Sequence, residues 1–377
     1  MSSTWPNKFV IGLTGNIATG KSVVRKMLEH LGAYGIDADA LSHRAMLKGA
    51  PGYQPVVDTF GKWILASDKQ IDRQKLGNLV FPNPDAMTAL EGILHPLIQD
   101  ATDMLIRRTK AKVVVIEAIK LLEGDLHNHC DTIWVADTDP DLQIERLMKK
   151  RGLTQAVAQQ RIQMQSAQQE KLATANTVIR NNHSFEKTWE QVLDAWNQNI
   201  PEKIEPTEVK QVDASLLTVQ RAGPGEAQQI AEFITHVSLG ARRLTRSDIM
   251  ADFGEKAFLL LKSDRKIAGL VGWQVENLVA RVDDFVIDDN IPISEAVTAM
   301  IMEVENASSE LLCEALLLFL PPSLAQHNQI WEGLGYSART VKDLTVRAWQ
   351  EAAMESMTPG SVLYFKQLRK DRVLRPI

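Results

Sequence analysis

Over the first two hundred residues, apolar positions alternate between short solid blocks and longer stretches with helical spacing. Residues 9–14, Phe-Val-Ile-Gly-Leu-Thr, predict a short buried strand. A glycine-rich turn follows, then a helix from about Ser22 to His30 that Gly32 can close. Tyr34 to Asp37 is a second strand candidate, and Val113–Ile116 and Thr132–Val135 are apolar runs suited to central parallel strands. Val178–Ile179 is a weaker fifth. Between these blocks, Asp85 to Arg108 keeps Met87, Leu90, Ile93, Leu94, Leu97 and Ile98 at helical spacing. Leu142–Lys150 and Ala156–Ala175 each predict a helix polar on one face. Strands alternating with helices imply an α/β fold with right-handed crossovers and a parallel sheet flanked by helices.

The pattern changes after residue 200. Residues 197 to 208 are charged and contain Pro201 and Pro206, which makes 201–214 a linker between domains at 1–200 and 215–377. Beyond it come a strand at Leu216–Val219 and a helix at Gly225–Leu239. A hairpin of Ala257–Leu261 with Ile267–Gln274 then turns at Ser263-Asp264-Arg265, and a strand follows at Arg281–Ile287. Helix Ser294–Glu305, strand Ala315–Leu320, helix Leu324–Leu334 and strand Val362–Leu368 complete an α+β domain.

Composition adds little beyond exclusions. With 377 residues, 45% hydrophobic and 24% charged, the chain is long enough for two ordinary cores. A net charge of -5 without a long basic run argues against nucleic acid as the main partner. Cys130 and Cys313 give no disulfide framework and fit a reducing compartment. The first residues lack a signal-peptide pattern, and the longest apolar run, Ala315–Leu320, is far too short for a bilayer. These features set the expectation of a cytoplasmic protein without a membrane partner.

The chemistry is concentrated in residues 15 to 22, Gly-Asn-Ile-Ala-Thr-Gly-Lys-Ser, an undamaged G-x-x-x-x-G-K-S between a strand and a helix. Gly15 and Gly20 permit backbone conformations closed to other residues. The N–H groups of Asn16, Ile17, Ala18, Thr19 and Gly20 can then turn inward, beside a helix N-terminus that attracts anions. Lys21 brings a mobile positive charge to the β- and γ-phosphates of ATP, and the Ser22 hydroxyl is a ligand for Mg²⁺. Ile36-Asp37-Ala38-Asp39 closes the second strand, so Asp37 and Asp39 sit where ligands of open parallel sheets bind. One carboxylate there can orient or deprotonate an attacking hydroxyl, and the other can help to place Mg²⁺.

Residues 11–22 followed by Ile36-Asp37-Ala38-Asp39 resemble the opening of dephospho-CoA kinases. The likeness continues through Asp72-Arg73, Val80-Phe81, Leu94-His95-Pro96-Leu97-Ile98, Arg146, Arg161-Ile162 with Gln165, and Asn181-Asn182, covering about residues 8 to 200. It implies a P-loop parallel sheet with a helical lid, and transfer of phosphate from ATP to the 3′-hydroxyl of dephospho-CoA. Asp39 matches the family's catalytic aspartate, and Asp37 supports it at the acceptor. Arg146 and Lys171 fall in the lid, where positive charge offsets what develops on the transferred group. Asn181 falls near the adenine-facing segment, while His95 and Arg161 belong to the acceptor pocket or its packing. A glutamate at position 117 can reach a Mg²⁺-bound water. The chain departs from the family pattern at Ile119, where a proline is usual, and at Asn176 and Arg180, where aspartates are usual. A kinase of another nucleotide or nucleoside hydroxyl, and a non-catalytic ATP-binding regulator with the second domain as output, remain alternatives.

The element order after Leu216, with Gly333-Leu334-Gly335-Tyr336 ending a helix, resembles GNAT-type N-acetyltransferase domains. Active members of that family place a glycine-rich pyrophosphate loop after the fourth strand. Here that position reads Asp288-Asp289-Asn290-Ile291-Pro292-Ile293-Ser294, two acids and no glycine. The expectation is a GNAT-like domain without ordinary acetyl-CoA catalysis, with a structural, interaction or CoA-like-ligand role.

Overall fold

The computed structural model describes residues 4–201, 217–263 and 266–370, and the chain divides into two compact units, with the boundary in sequence after Ile204. The linker expected at 201–214 lies outside the described residues apart from Pro201, as do Asp264 and Arg265 of the expected hairpin turn.

In the first unit, β1 (Phe9–Thr14) leads into α1 (Lys21–His30), β2 (Tyr34–Asp37) and α2 (Ala38–Ala45). Three helices follow, α3 (Tyr53–Phe60), α4 (Arg73–Val80) and α5 (Pro84–Arg108). The remainder is β3 (Val113–Glu117), β4 (Thr132–Asp137), α6 (Pro140–Arg151), α7 (Gln155–Gln163), α8 (Gln168–Thr174), β5 (Thr177–Arg180) and α9 (Phe185–Asn199). The sheet order is β2-β3-β1-β4-β5, and all pairings are parallel. Strand β1 sits at the centre, in register with Val113–Glu117 on one side and Thr132–Val135 on the other, which is why its apolar run is buried on both faces. One face packs Ile11, Leu13, Val115 and Trp134 against Val24, Met27 and Leu28 of α1 and Val192 and Trp196 of α9. The C-terminal ends Thr14, Asp37, Glu117 and Asp137 share one edge of the sheet, the edge at which open parallel sheets hold ligands.

Helix α5 buries Leu90, Leu94, Ile98, Ala101 and Leu105 along one stripe and continues on both sides of Pro96, whose ring deletes one intrahelical bond. The single helix expected at Ala156–Ala175 is two. The chain breaks between α7 and α8, where the Ser166 carbonyl and the side chains of Gln165 and Gln168 bond to Asn16 and Ile17 in the turn after β1.

The second unit contains β6 (Leu217–Arg221), α10 (Ala227–Val237), α11 (Arg246–Asp252), β7 (Ala257–Ser263), β8 (Lys266–Glu276), β9 (Val279–Ile287) and α12 (Ile293–Glu310). It ends with β10 (Ala315–Leu320), α13 (Pro322–Ala325), α14 (Asn328–Gly333), β11 (Ser337–Ala338), α15 (Arg347–Ser356) and β12 (Val362–Gln367). Its seven strands run β11-β12-β10-β9-β8-β7-β6, antiparallel except where β9 and β10 pair in parallel. That parallel pairing stops at Val282 and Leu318, although both strands continue. Phe285 and Trp331 meet edge to face there, their ring centroids 6.0 Å apart, within a core that includes Leu320, Leu324 and Ala325. The helix expected at Leu324–Leu334 is likewise two, α13 and α14, and the Trp331 indole N–H donates back to the Leu324 carbonyl at 2.9 Å.

Among the described residues, no helix is long and apolar enough to cross a membrane.

Candidate active site

The turn between β1 and α1 has the backbone that its glycines require. Gly15 takes φ 144° and Gly20 φ 92°. A Cβ at Gly15 would lie 2.4 Å from the Ala136 carbonyl oxygen, and one at Gly20 would lie 1.8 Å from Asn181 Nδ2. No side chain caps the N-terminus of α1, so the N–H groups that open the helix form an anion site.

Other residues clamp this loop from outside. The Arg146 guanidinium donates to the carbonyls of Ala18 (3.3 Å) and Asn181 (2.7 Å) and to the Thr138 hydroxyl (3.1 Å). Thr138 and Asn181 both donate to the Thr19 carbonyl, at 3.1 and 3.2 Å, and Thr188 donates to Asn181 Oδ1. Gln143 donates to the Ile17 carbonyl. The Ile17 N–H donates to Gln165 Oε1 (2.8 Å) and the Asn16 N–H to Gln168 Oε1 (3.0 Å). Lys21 is buried and its ammonium reaches the Asn16 carbonyl at 3.3 Å.

Opposite the loop stand the carboxylates. Asp37 caps α2 by accepting the Ala40 N–H at 2.8 Å, and burial with the nearby Glu117 raises its carboxyl above the usual range. Asp39 Oδ2 accepts the Ile119 N–H at 3.1 Å. Burial raises the Asp39 carboxyl, against the attraction of Lys21 and Lys171. Lys171 donates to the Ile119 carbonyl at 2.7 Å, so its ammonium and the Asp39 carboxylate bond to the backbone of the same residue. Burial lowers Lys171 to about 8. At the foot of the site, Ser22 donates to Glu117 Oε1 at 2.8 Å and the Arg25 Nε–H donates to Glu117 Oε2 at 2.7 Å.

The family-model comparison matches residues 9–187 to a family described as dephospho-CoA kinase. The chain is 41% identical over 194 residues to a curated dephospho-CoA kinase from Geobacter metallireducens, covering 51% of this chain and 96% of that protein. This chain belongs to the dephospho-CoA kinase family. A second member, from Carboxydothermus hydrogenoformans, is 40% identical over 187 residues, covering 49% of this chain and 91% of its own length. Among solved structures, a GNAT-family acetyltransferase from Staphylococcus aureus MU50 is similar over 41% of this chain and 99% of its own, with 13% identity and a TM-score of 0.32.

The kinase unit thus gathers Lys21, Ser22, Asp37, Asp39, Glu117, Arg146, Lys171 and Asn181 around one loop. Two residues singled out in the sequence are exposed instead. His95 lies on α5 beside Gly124, and Arg161 lies on α7. Arg25, Thr138, Gln143, Gln168 and Thr188 also bond within this site, and none belongs to a sequence motif. Only Arg25 carried a local sign, a basic Arg25-Lys26 pair three and four residues before Glu29 on a helix.

Proposed function

We propose that the first unit transfers the γ-phosphoryl group of ATP to the 3′-hydroxyl of dephospho-CoA, giving CoA and ADP. The observation that carries this reading is the Asp39 carboxylate standing across from Lys21 and the loop amides in a dephospho-CoA kinase chain. Lys21 and the N-terminus of α1 hold the β- and γ-phosphates. Asp39 keeps one oxygen on the Ile119 N–H and turns the other to the acceptor hydroxyl, whose proton it receives. Its raised pKa makes it a better base than an ordinary aspartate. Lys171 supplies positive charge to the transferring group, and Arg146 and Asn181 hold the loop that carries the nucleotide.

Magnesium fits the donors present. Ser22 Oγ would hold the ion, and Glu117 Oε1, 2.8 Å from it, would reach it directly or through a bound water. The ion, when bound, neutralises charge on the β- and γ-phosphates.

The test is ADP release with a panel of acceptors that includes dephospho-CoA. Dephospho-CoA should be strongly preferred, and Asp39→Asn should bind ATP normally while losing about 10²–10⁴-fold in turnover. Equal rates on other nucleosides, or wild-type turnover in the variant, would refute the assignment.

For the second unit we propose a role without acetyl transfer. Asp288 turns its carboxylate onto the N–H and side-chain amide of Asn290, at 2.9 and 2.7 Å, which closes the loop before α12 on itself. That loop then offers acid where a pyrophosphate needs donors. Thiol release from acetyl-CoA with amine acceptors should not exceed background hydrolysis, and release above it would overturn this reading.

A further inference from the structure

Glu117 is buried at the end of β3, and its two oxygens have different partners. Oε1 accepts from Ser22, the residue read as the Mg²⁺ ligand, and Oε2 accepts from the Nε–H of Arg25 at 2.7 Å. Arg25 is itself buried, one helical turn after Lys21, and its Nη1 donates to Glu29 Oε1 at 2.6 Å. Glu29 is fixed in turn by Lys26, which donates to its other oxygen at 2.9 Å. Burial opposes ionisation at Glu29, yet Lys26 and Arg25 hold its carboxyl well below the usual range. Burial likewise opposes the Arg25 charge, yet Glu29, Glu117 and Asp37 hold its proton more tightly than usual. The chain of contacts therefore runs Lys26–Glu29–Arg25–Glu117–Ser22, with every carboxylate oxygen engaged.

A planar guanidinium suits this task. Its Nε–H and Nη1–H point in fixed directions, so binding Glu29 with one sets the line along which the other meets Glu117. With Oε2 taken, the carboxylate of Glu117 can turn only one oxygen toward Ser22. We infer that Arg25 is a positioning residue for the metal site: by holding Glu117 Oε2 it presents Oε1, beside Ser22 Oγ, as a direct ligand to Mg²⁺. This inference rests on the Mg²⁺ reading above and adds to it the direct contact through Glu117 and the role of Arg25.

The experiment measures equilibrium binding of a fluorescent ATP analogue to the full-length chain, without metal and across a Mg²⁺ titration, with circular dichroism as a check on folding. Outer partners of metal ligands typically contribute about 10–100-fold to metal affinity. Arg25→Met should therefore raise the Mg²⁺ concentration for half-maximal enhancement about tenfold, and metal-free nucleotide binding should not change. Glu117→Gln should raise it at least as much. The double variant should match Glu117→Gln alone, because Arg25 acts only through that carboxylate. Where Arg25→Met does not fold, Arg25→Lys decides: its ammonium keeps the charge without the fork, and the Mg²⁺ requirement should still rise about threefold or more. An unchanged Mg²⁺ requirement in the folded Arg25 variants, or an effect that adds in full to that of Glu117→Gln, would overturn the role of Arg25 and leave the metal reading standing. No Mg²⁺ shift in Glu117→Gln would remove Glu117 from the metal altogether, and Arg25 with it.

Discussion

Lys171 gives the sharpest pH prediction. Its side chain is 2% exposed, its ammonium donates to the Ile119 carbonyl, and burial lowers it to about 8 from 10.5. If its charge assists transfer, kcat/KM should fall above pH 8, because that parameter reports the free enzyme. At pH 9 about one lysine in ten is still protonated, which predicts roughly a tenfold loss from the neutral plateau. The limb in kcat should lie higher, since bound phosphates favour the charged form. Stability moves the other way. Between about pH 8 and the ordinary lysine value, the folded chain binds fewer protons at this site than the unfolded chain, so this group's contribution to stability rises with pH. Rate and stability should therefore diverge across the same window. Initial-rate ADP release from pH 6 to 10, beside urea unfolding at each pH, measures both. Lys171→Arg should carry the rate plateau past pH 9. A wild-type kcat/KM that stays flat to pH 9.5 would refute the assignment of charge to Lys171.

Two further outcomes follow from the geometry. Gly20→Ala should abolish nucleotide binding by calorimetry, since it places a Cβ 1.8 Å from Asn181 Nδ2 on a residue at φ 92°; retained affinity would contradict the described loop. Trp331→Ala should cost about 3–5 kcal/mol of unfolding free energy, because the 1%-exposed indole packs against Phe285, Tyr336 and Tyr364 and donates to Leu324; a loss below 1 kcal/mol in denaturant titration would show that the cavity collapses.

What could be read in the sequence was whatever depends on neighbours along the chain. The strand β1, the turn at Gly15–Gly20 and the helix α1 are one local unit, and apolar runs flank them with no competing pattern. Asp37 and Asp39 were legible for the same reason, because strand ends mark the ligand edge. The break at 164–167 was not. At that break Gln165 and Gln168 accept from amides about 150 positions earlier, and a polar helix face looks the same whether water or a loop receives it. Arg25 was hidden similarly. An Arg at helical spacing from a Glu reads as an ordinary surface pair until β3 brings Glu117 beneath it. The split between α13 and α14 depends on an indole that folds back on its own chain. The short helices α2, α3, α4, α11 and α15 were not delineated, because several carry too few turns for periodicity to register; α9, at 15 residues, is long enough to show a period and was missed all the same.

The departures from the family pattern are better understood as exchanges of partners than as damage. Asn176 stands where an aspartate is usual. Its Oδ1 accepts the Ile133 N–H at 2.7 Å, and its own N–H donates to the Ile133 carbonyl at 2.8 Å. An amide oxygen accepts that bond as a carboxylate would, so the join between β4 and β5 loses a charge and keeps its geometry. Ile119 is the more consequential case, because proline has no N–H to give. The isoleucine supplies the donor that Asp39 Oδ2 accepts, while its carbonyl holds Thr14 and Lys171. A backbone donor favours the ionised carboxylate and works against the burial that raises it. The substitution thus favours the ionised form of Asp39, and the N–H and carbonyl of this one residue, in two successive peptide groups, tie the acid, Lys171 and Thr14 of β1 together.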